Sequence, residues 1–133
     1  MNDSSNKIIQ IEPWIDSEEL VEITKVINST FITEGEATAE FEHLIRNLTG
    51  SRYAIAMTNG TLATFSIINA LGIGQGDEVI VPDMTFVATA NAVILAGATP
   101  IFCDVRPDTF CLDIKMAEKL ITKNTKAIMP VHL

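Results

Sequence analysis

The stretch Tyr53-Ala-Ile-Ala-Met-Thr-Asn-Gly-Thr-Leu-Ala-Thr-Phe-Ser-Ile-Ile-Asn-Ala-Leu71 sets a turn of small and hydroxyl-bearing residues between two apolar runs. The apolar run Tyr53–Met57 reads as a buried strand, Thr58-Asn59-Gly60 as the turn, and the residues from Thr61 to Leu71 as a helix with apolar periodicity. Gly60 removes a side chain where the backbone bends and where another group could approach closely. Thr61 and Leu62 would open the helix, and the first N–H groups of a helix have no partner inside it. Those donors, the positive end of the helix dipole and the nearby hydroxyls suit an anion, phosphate being the obvious one. The same residues also suit a plain strand–turn–helix connection, and a short glycine turn does not by itself decide between the two.

Other reactive side chains are sparse. His43 has no second His or Cys at metal-ligand spacing and reads as a solvated or capping histidine. The two cysteines, Cys103 and Cys111, are too few for a disulfide framework or a zinc cluster, and Cys103 lies in an apolar run as a buried thiol would. Asp104 follows that run as a turn or cap residue.

Composition narrows the partners. A hydrophobic fraction of 47 % beside 20 % charged residues suits a globular chain, and 133 residues suit one domain or part of one. A net charge of −8 argues against nucleic acid or an anionic membrane as the main partner. The N-terminus lacks the apolar core of a signal peptide and no run is long enough to span a bilayer, so a cytoplasmic location is expected.

The elements that must position the turn follow from spacing. Met1–Lys7 reads as a loose tail and Ile8–Ile15 as an extended arm. Asp16 with Glu19 predicts a capping box and a helix to about Ile27. Thr30–Gly35 reads as a turn with Gly35 left-handed, and Phe41, Leu44, Ile45 and Leu48 predict a helix over 37–49 that Gly50 ends. Strands are expected at Tyr53–Met57, Glu78–Val81, Pro100–Val105 and Ala127–Val131. Between them fall helices from Thr61, from Phe86 with Thr85 as cap, and from the Asp113 cap to about Ile121. Strand and helix alternate, so the fold class is α/β, a mostly parallel sheet flanked by helices. Ligands of such sheets bind beyond the carboxyl ends of the strands, where 58–62, 82–86 and 104–107 should meet.

Three segments in order carry a family resemblance. They are Thr58-Asn-Gly-Thr61; Leu71-Gly-Ile-Gly-Gln-Gly-Asp-Glu-Val-Ile-Val-Pro82, continuing to Asn91; and Gly97-Ala-Thr-Pro-Ile-Phe-Cys-Asp-Val105 with Thr125-Lys-Ala-Ile-Met-Pro-Val-His-Leu133. From about Ile11 to its last residue the chain resembles the DegT/DnrJ/EryC1/StrS family of pyridoxal-phosphate (PLP)-dependent sugar aminotransferases. The resemblance implies fold type I, the aspartate-aminotransferase-like fold. Residues 16–133 would be the N-terminal part of its large domain and residues 1–15 a tail and arm. It further implies that Gly60, Thr61 and Leu62 hold the phosphate of pyridoxal 5'-phosphate and that Phe86 lies against its ring, where the alternative is a core aromatic. Thr33 and Gly35 match a loop near the sugar substrate. The substrates would be a nucleotide-linked keto-sugar and glutamate, and the protein a homodimer.

The catalytic residues of such an enzyme are not among those matched. A PLP aminotransferase needs a lysine for the Schiff base and proton transfer, and a carboxylate facing the pyridine nitrogen. In the family both lie beyond the Val-His-Leu segment. None of Lys7, Lys25, Lys115, Lys119, Lys123 and Lys126 sits in a resembling motif, and His132 receives no chemical role. The expectation is therefore an N-terminal portion that is inactive alone and exposes apolar surface. Two alternatives stand beside it, a non-catalytic fragment that binds a partner and a parent enzyme that is a sugar dehydratase.

Overall fold

Val79, Ile80 and Val81 form an unbroken β-branched run, the composition of a strand covered on both faces. In the structure, a computed structural model that describes residues 11–132, these three side chains are fully buried. In chain order the elements are α1 (Ser17–Ser29), α2 (Glu36–Thr49), α3 (Gly60–Ala70), β1 (Glu78–Pro82), α4 (Ala88–Leu95), β2 (Thr99–Cys103), α5 (Ile114–Leu120) and β3 (Thr125–Ile128). The chain divides into two compact units between Ala56 and Met57. The expected tail Met1–Lys7 and the first residues of the arm lie outside the described residues.

In the second unit the three strands form a parallel sheet in the order β2-β1-β3. Glu78 pairs with Thr99 and Pro82 with Cys103 on one side of β1. On the other side an irregularity after Glu78 brings Val79 opposite Ala127. Successive side chains of a strand point to opposite faces, and the core divides accordingly. Val79 and Val81 pack with Ile68, Ile73, Ala92, Val93 and Ala98, contributed mainly by α3 and α4. Ile80 packs with Cys103, Leu112 and Ala117, the last of these on α5. Burial of each Val, Ile or Leu side chain among these contributes about 1.5–3 kcal/mol. The α/β class read from the sequence holds.

The first unit is built from α1, α2 and the segment that follows them. Asp16 caps α1: Glu18 N–H donates to its Oδ1 at 2.8 Å, and its own N–H donates to Glu19 Oε2 at 2.8 Å. The helix closes on Thr30, left-handed at φ 65°, whose N–H donates to the Ile27 carbonyl. The left-handed turn is therefore made at Thr30 and not at Gly35, whose φ of 174° is extended backbone that any residue adopts. Gly50, at φ 70°, ends α2 as its position after the apolar stripe predicts.

Further expectations are corrected. Tyr53–Met57 is not a strand; Tyr53 and Ile55 are 74 % and 77 % exposed, and the Ala56 N–H donates to Glu42 Oε1 at 2.8 Å. Strand composition alone makes no strand without a neighbouring backbone to pair with, and none of the described strands supplies one. The helix expected from Phe86 starts at Ala88, because the Thr85 hydroxyl, assigned as its cap, bonds to the Thr89 hydroxyl and caps nothing. The strands at 100–105 and 127–131 begin and end earlier than expected, at Thr99–Cys103 and Thr125–Ile128.

Candidate functional site

Asn59 opens α3. Its backbone is extended, and its side-chain Oδ1 accepts the Leu62 N–H at 3.0 Å, while the Ala63 N–H donates to the Asn59 carbonyl at 3.1 Å. Of the donors that a helix start leaves free, those of Gly60 and Thr61 have no acceptor among the described residues. No acidic residue lies in the first turn, so the dipole's positive end is unopposed there in a chain of net charge −8. The Leu62 N–H can reach a ligand only by giving up its bond to Asn59.

Gly60 is informative for what surrounds it. A Cβ built at this position meets none of the described residues within 4 Å, and its φ is not left-handed. The described residues therefore do not need glycine here for their own packing or backbone. A group approaching the first turn of α3 from outside would need it.

The other residue assigned to the site, Phe86, follows the end of β1. The connection from β1 into α4 starts at the carboxyl end of the strand, where the Asp83 N–H donates to the Cys103 carbonyl at 3.0 Å. Phe86 lies on that connection, before the helix, and is 76 % exposed among the described residues. Helix α3 packs against α4, and its C-terminal end is closed by the Ile73 N–H, which donates to the Ile68 carbonyl at 3.2 Å.

Nearby, Cys103 is buried at 1 % exposure, and its Sγ is 3.5 Å from the Asp104 carbonyl and 3.6 Å from that of Asp113. Burial pushes the Cys103 thiol up from its ordinary value, and the charges of Asp104, Asp113 and Asp83 push it further. Thr33 and Gly35 belong to the first unit, on the connection between α1 and α2. Among the described residues no cluster of His, Cys, Asp or Glu could hold a metal, and no helix is long and apolar enough to cross a membrane. The Asn59 cap and the Thr85–Thr89 hydroxyl bond went unread in the sequence. The first had a signal, an Asn immediately before an apolar-periodic run; the second depends on a helix starting two residues later than spacing suggests.

The DegT/DnrJ/EryC1/StrS aminotransferase family matches residues 13–133. The chain belongs to that family. It is 46 % identical over 122 residues to the GDP-perosamine synthase of Caulobacter vibrioides, covering 91 % of this chain and 33 % of that protein. It is 40 % identical over 129 residues to the UDP-4-amino-4-deoxy-L-arabinose–oxoglutarate aminotransferase of Shewanella sediminis, covering 96 % of this chain and 33 % of that one. Among solved family structures, a Bacillus subtilis protein with bound cofactor PMP superposes with a TM-score of 0.82 at 37 % identity, over 96 % of this chain and 32 % of that one. The chain spans about a third of the length of the curated relatives it matches.

Proposed function

We propose that this chain supplies the phosphate cup and ring platform of a PLP-dependent aminotransferase acting on a nucleotide-linked keto-sugar. Gly60 and Thr61 bind the cofactor phosphate through their amides and the Thr61 hydroxyl, with Leu62 on the same turn. Phe86 lies against the ring, orients it and excludes water from that face. When bound, PLP supplies an electron sink for chemistry at a carbon bonded to nitrogen. Thr33 and Gly35 contact the sugar. The substrate class rests on the relatives' names, which carry UDP- and GDP-linked sugars, and the oxoglutarate in one name supports glutamate as the amino donor.

On this reading residues 16–133 are the opening part of a larger domain, with 1–15 as its arm, in a cytoplasmic homodimer. Exposed apolar residues on α1 and α2, Leu20, Ile23 and Leu44 among them, support association. The residues that transfer protons lie outside the matched third, so the chain alone is inactive.

The observation that carries the reading is a glycine without a structural need for it, at a helix start with free amides. Gly60→Ala tests it. The substitution leaves α3 intact and stabilises the fold by about 0.4–1 kcal/mol. It should nevertheless weaken PLP and inorganic phosphate binding, read by equilibrium dialysis against melting temperature. Unchanged affinity for both ligands would remove Gly60 from the cup. Borohydride treatment with PLP followed by intact mass tests the rest, since an adduct confined to one lysine would place the catalytic lysine within this chain.

A further inference from the structure

We propose that the hydroxyls of Thr85 and Thr89 are a positioning pair that holds Phe86 in place to receive a flat heteroaromatic ring. The inference rests on the cofactor reading and names what prepares its ring platform. Phe86 is 76 % exposed, so core packing does not fix it. Backbone anchors do. The Asp83 N–H donates to the Cys103 carbonyl at 3.0 Å, and the Thr89 N–H donates to the Phe86 carbonyl at 3.0 Å.

Between these anchors the connection has no capping side chain, since α4 starts after Val87 without a side-chain hydrogen bond to its N-terminus. The part-buried bond between Thr85 Oγ1 and Thr89 Oγ1, 2.9 Å long, takes that place. It ties the residue before Phe86 to the first turn of α4, so Phe86 lies inside a loop closed on both sides. Ordering the platform before the ligand arrives lowers the entropy lost on binding. A hydroxyl pair shielded from water holds better than one fully exposed.

The test measures PLP and inorganic phosphate affinities of the chain and of five variants, Thr85→Val, Thr89→Val, Thr89→Ser, Phe86→Ala and Thr85→Val with Phe86→Ala. Loss of one modest hydrogen bond predicts about a three- to tenfold weaker PLP affinity for either valine variant. Phosphate affinity should stay unchanged, because the amides of Gly60 and Thr61 are not involved. Thr89→Ser keeps the hydroxyl and should bind as the unsubstituted chain does. In the Phe86→Ala background Thr85→Val should add nothing.

Three results would overturn the inference alone while Phe86→Ala still weakens PLP binding. They are valine variants that bind PLP normally, a valine penalty that persists without the ring, and a parallel fall in phosphate affinity, which marks general disruption. An unsubstituted chain that binds neither ligand, or a Phe86→Ala variant that binds PLP normally, would overturn the cofactor reading and this inference with it.

Discussion

Asn59 and Gly60 divide the work at the head of α3. Asn59 satisfies the Leu62 amide and fixes where the helix starts, while Gly60 leaves space that none of the described residues fills. The two should separate by mutation. Asn59→Ala removes a cap and should cost about 1 kcal/mol, seen as a lower melting temperature. It also frees the Leu62 N–H, so phosphate affinity should hold or rise, the reverse of the Gly60→Ala pattern. Cys103 gives a second prediction at this scale. Its buried thiol should react with a disulfide reagent far more slowly than the partly exposed Cys111, giving two phases that collapse into one in denaturant. Because the folded state raises the Cys103 thiol above its ordinary value of 9.0, the unfolded chain ionises first as pH climbs. That part of the stability is present below pH 9.0 and is lost as pH rises through the higher folded value. The difference in melting temperature between the chain and Cys103→Ala should therefore narrow above pH 9.0.

Among the elements, α5 shows a cap read correctly from sequence. Asp113 accepts the Lys115 and Met116 N–H groups at 2.8 and 3.3 Å, so Asp113→Ala should lower stability by about 1 kcal/mol in thermal melts. The turn that leads into it carries strain. Phe110 stands at φ 55°, in the left-handed region that a bulky side chain rarely adopts. Asn tolerates that region, so Phe110→Asn should raise the melting temperature, with about 1 kcal/mol of strain relieved. A lower melting temperature would show that the half-buried ring contributes more than its backbone costs. Tyr53–Met57 shows where reading by element fails. Its alternation of large and small apolar residues is legible, yet pairing is a property of two segments. Here the Ala56 amide has turned to Glu42.

Across the molecule, stability is concentrated in the second unit, around β1. Ile80→Ala should cost about 2–5 kcal/mol, enough in a sheet of three strands to abolish a cooperative melt. The apolar stripes of α1 and α2 are exposed, Leu48 at 82 %, and contiguous exposed apolar surface favours association. Light scattering behind size-exclusion chromatography should find the chain in species larger than a monomer, and Leu44→Glu should shift that distribution downward. A sharp monomer peak for the unsubstituted chain would show that these stripes do not drive association.

Local signals determined much of this protein by themselves. The Asp16 and Asp113 caps, the glycine stop at Gly50, the strand Val79–Val81 and the α/β alternation all depend on neighbours within a few residues, and such interactions are written in spacing. Only the tertiary structure decided that β1 is the central strand, that Val79 and Ile80 serve different cores, and that Phe86 precedes its helix with its side chain exposed among the described residues. It also withheld strand pairing from Tyr53–Met57. Strand order, pairing and exposure are set by contacts between residues far apart in the chain, and composition does not encode which distant partner is present.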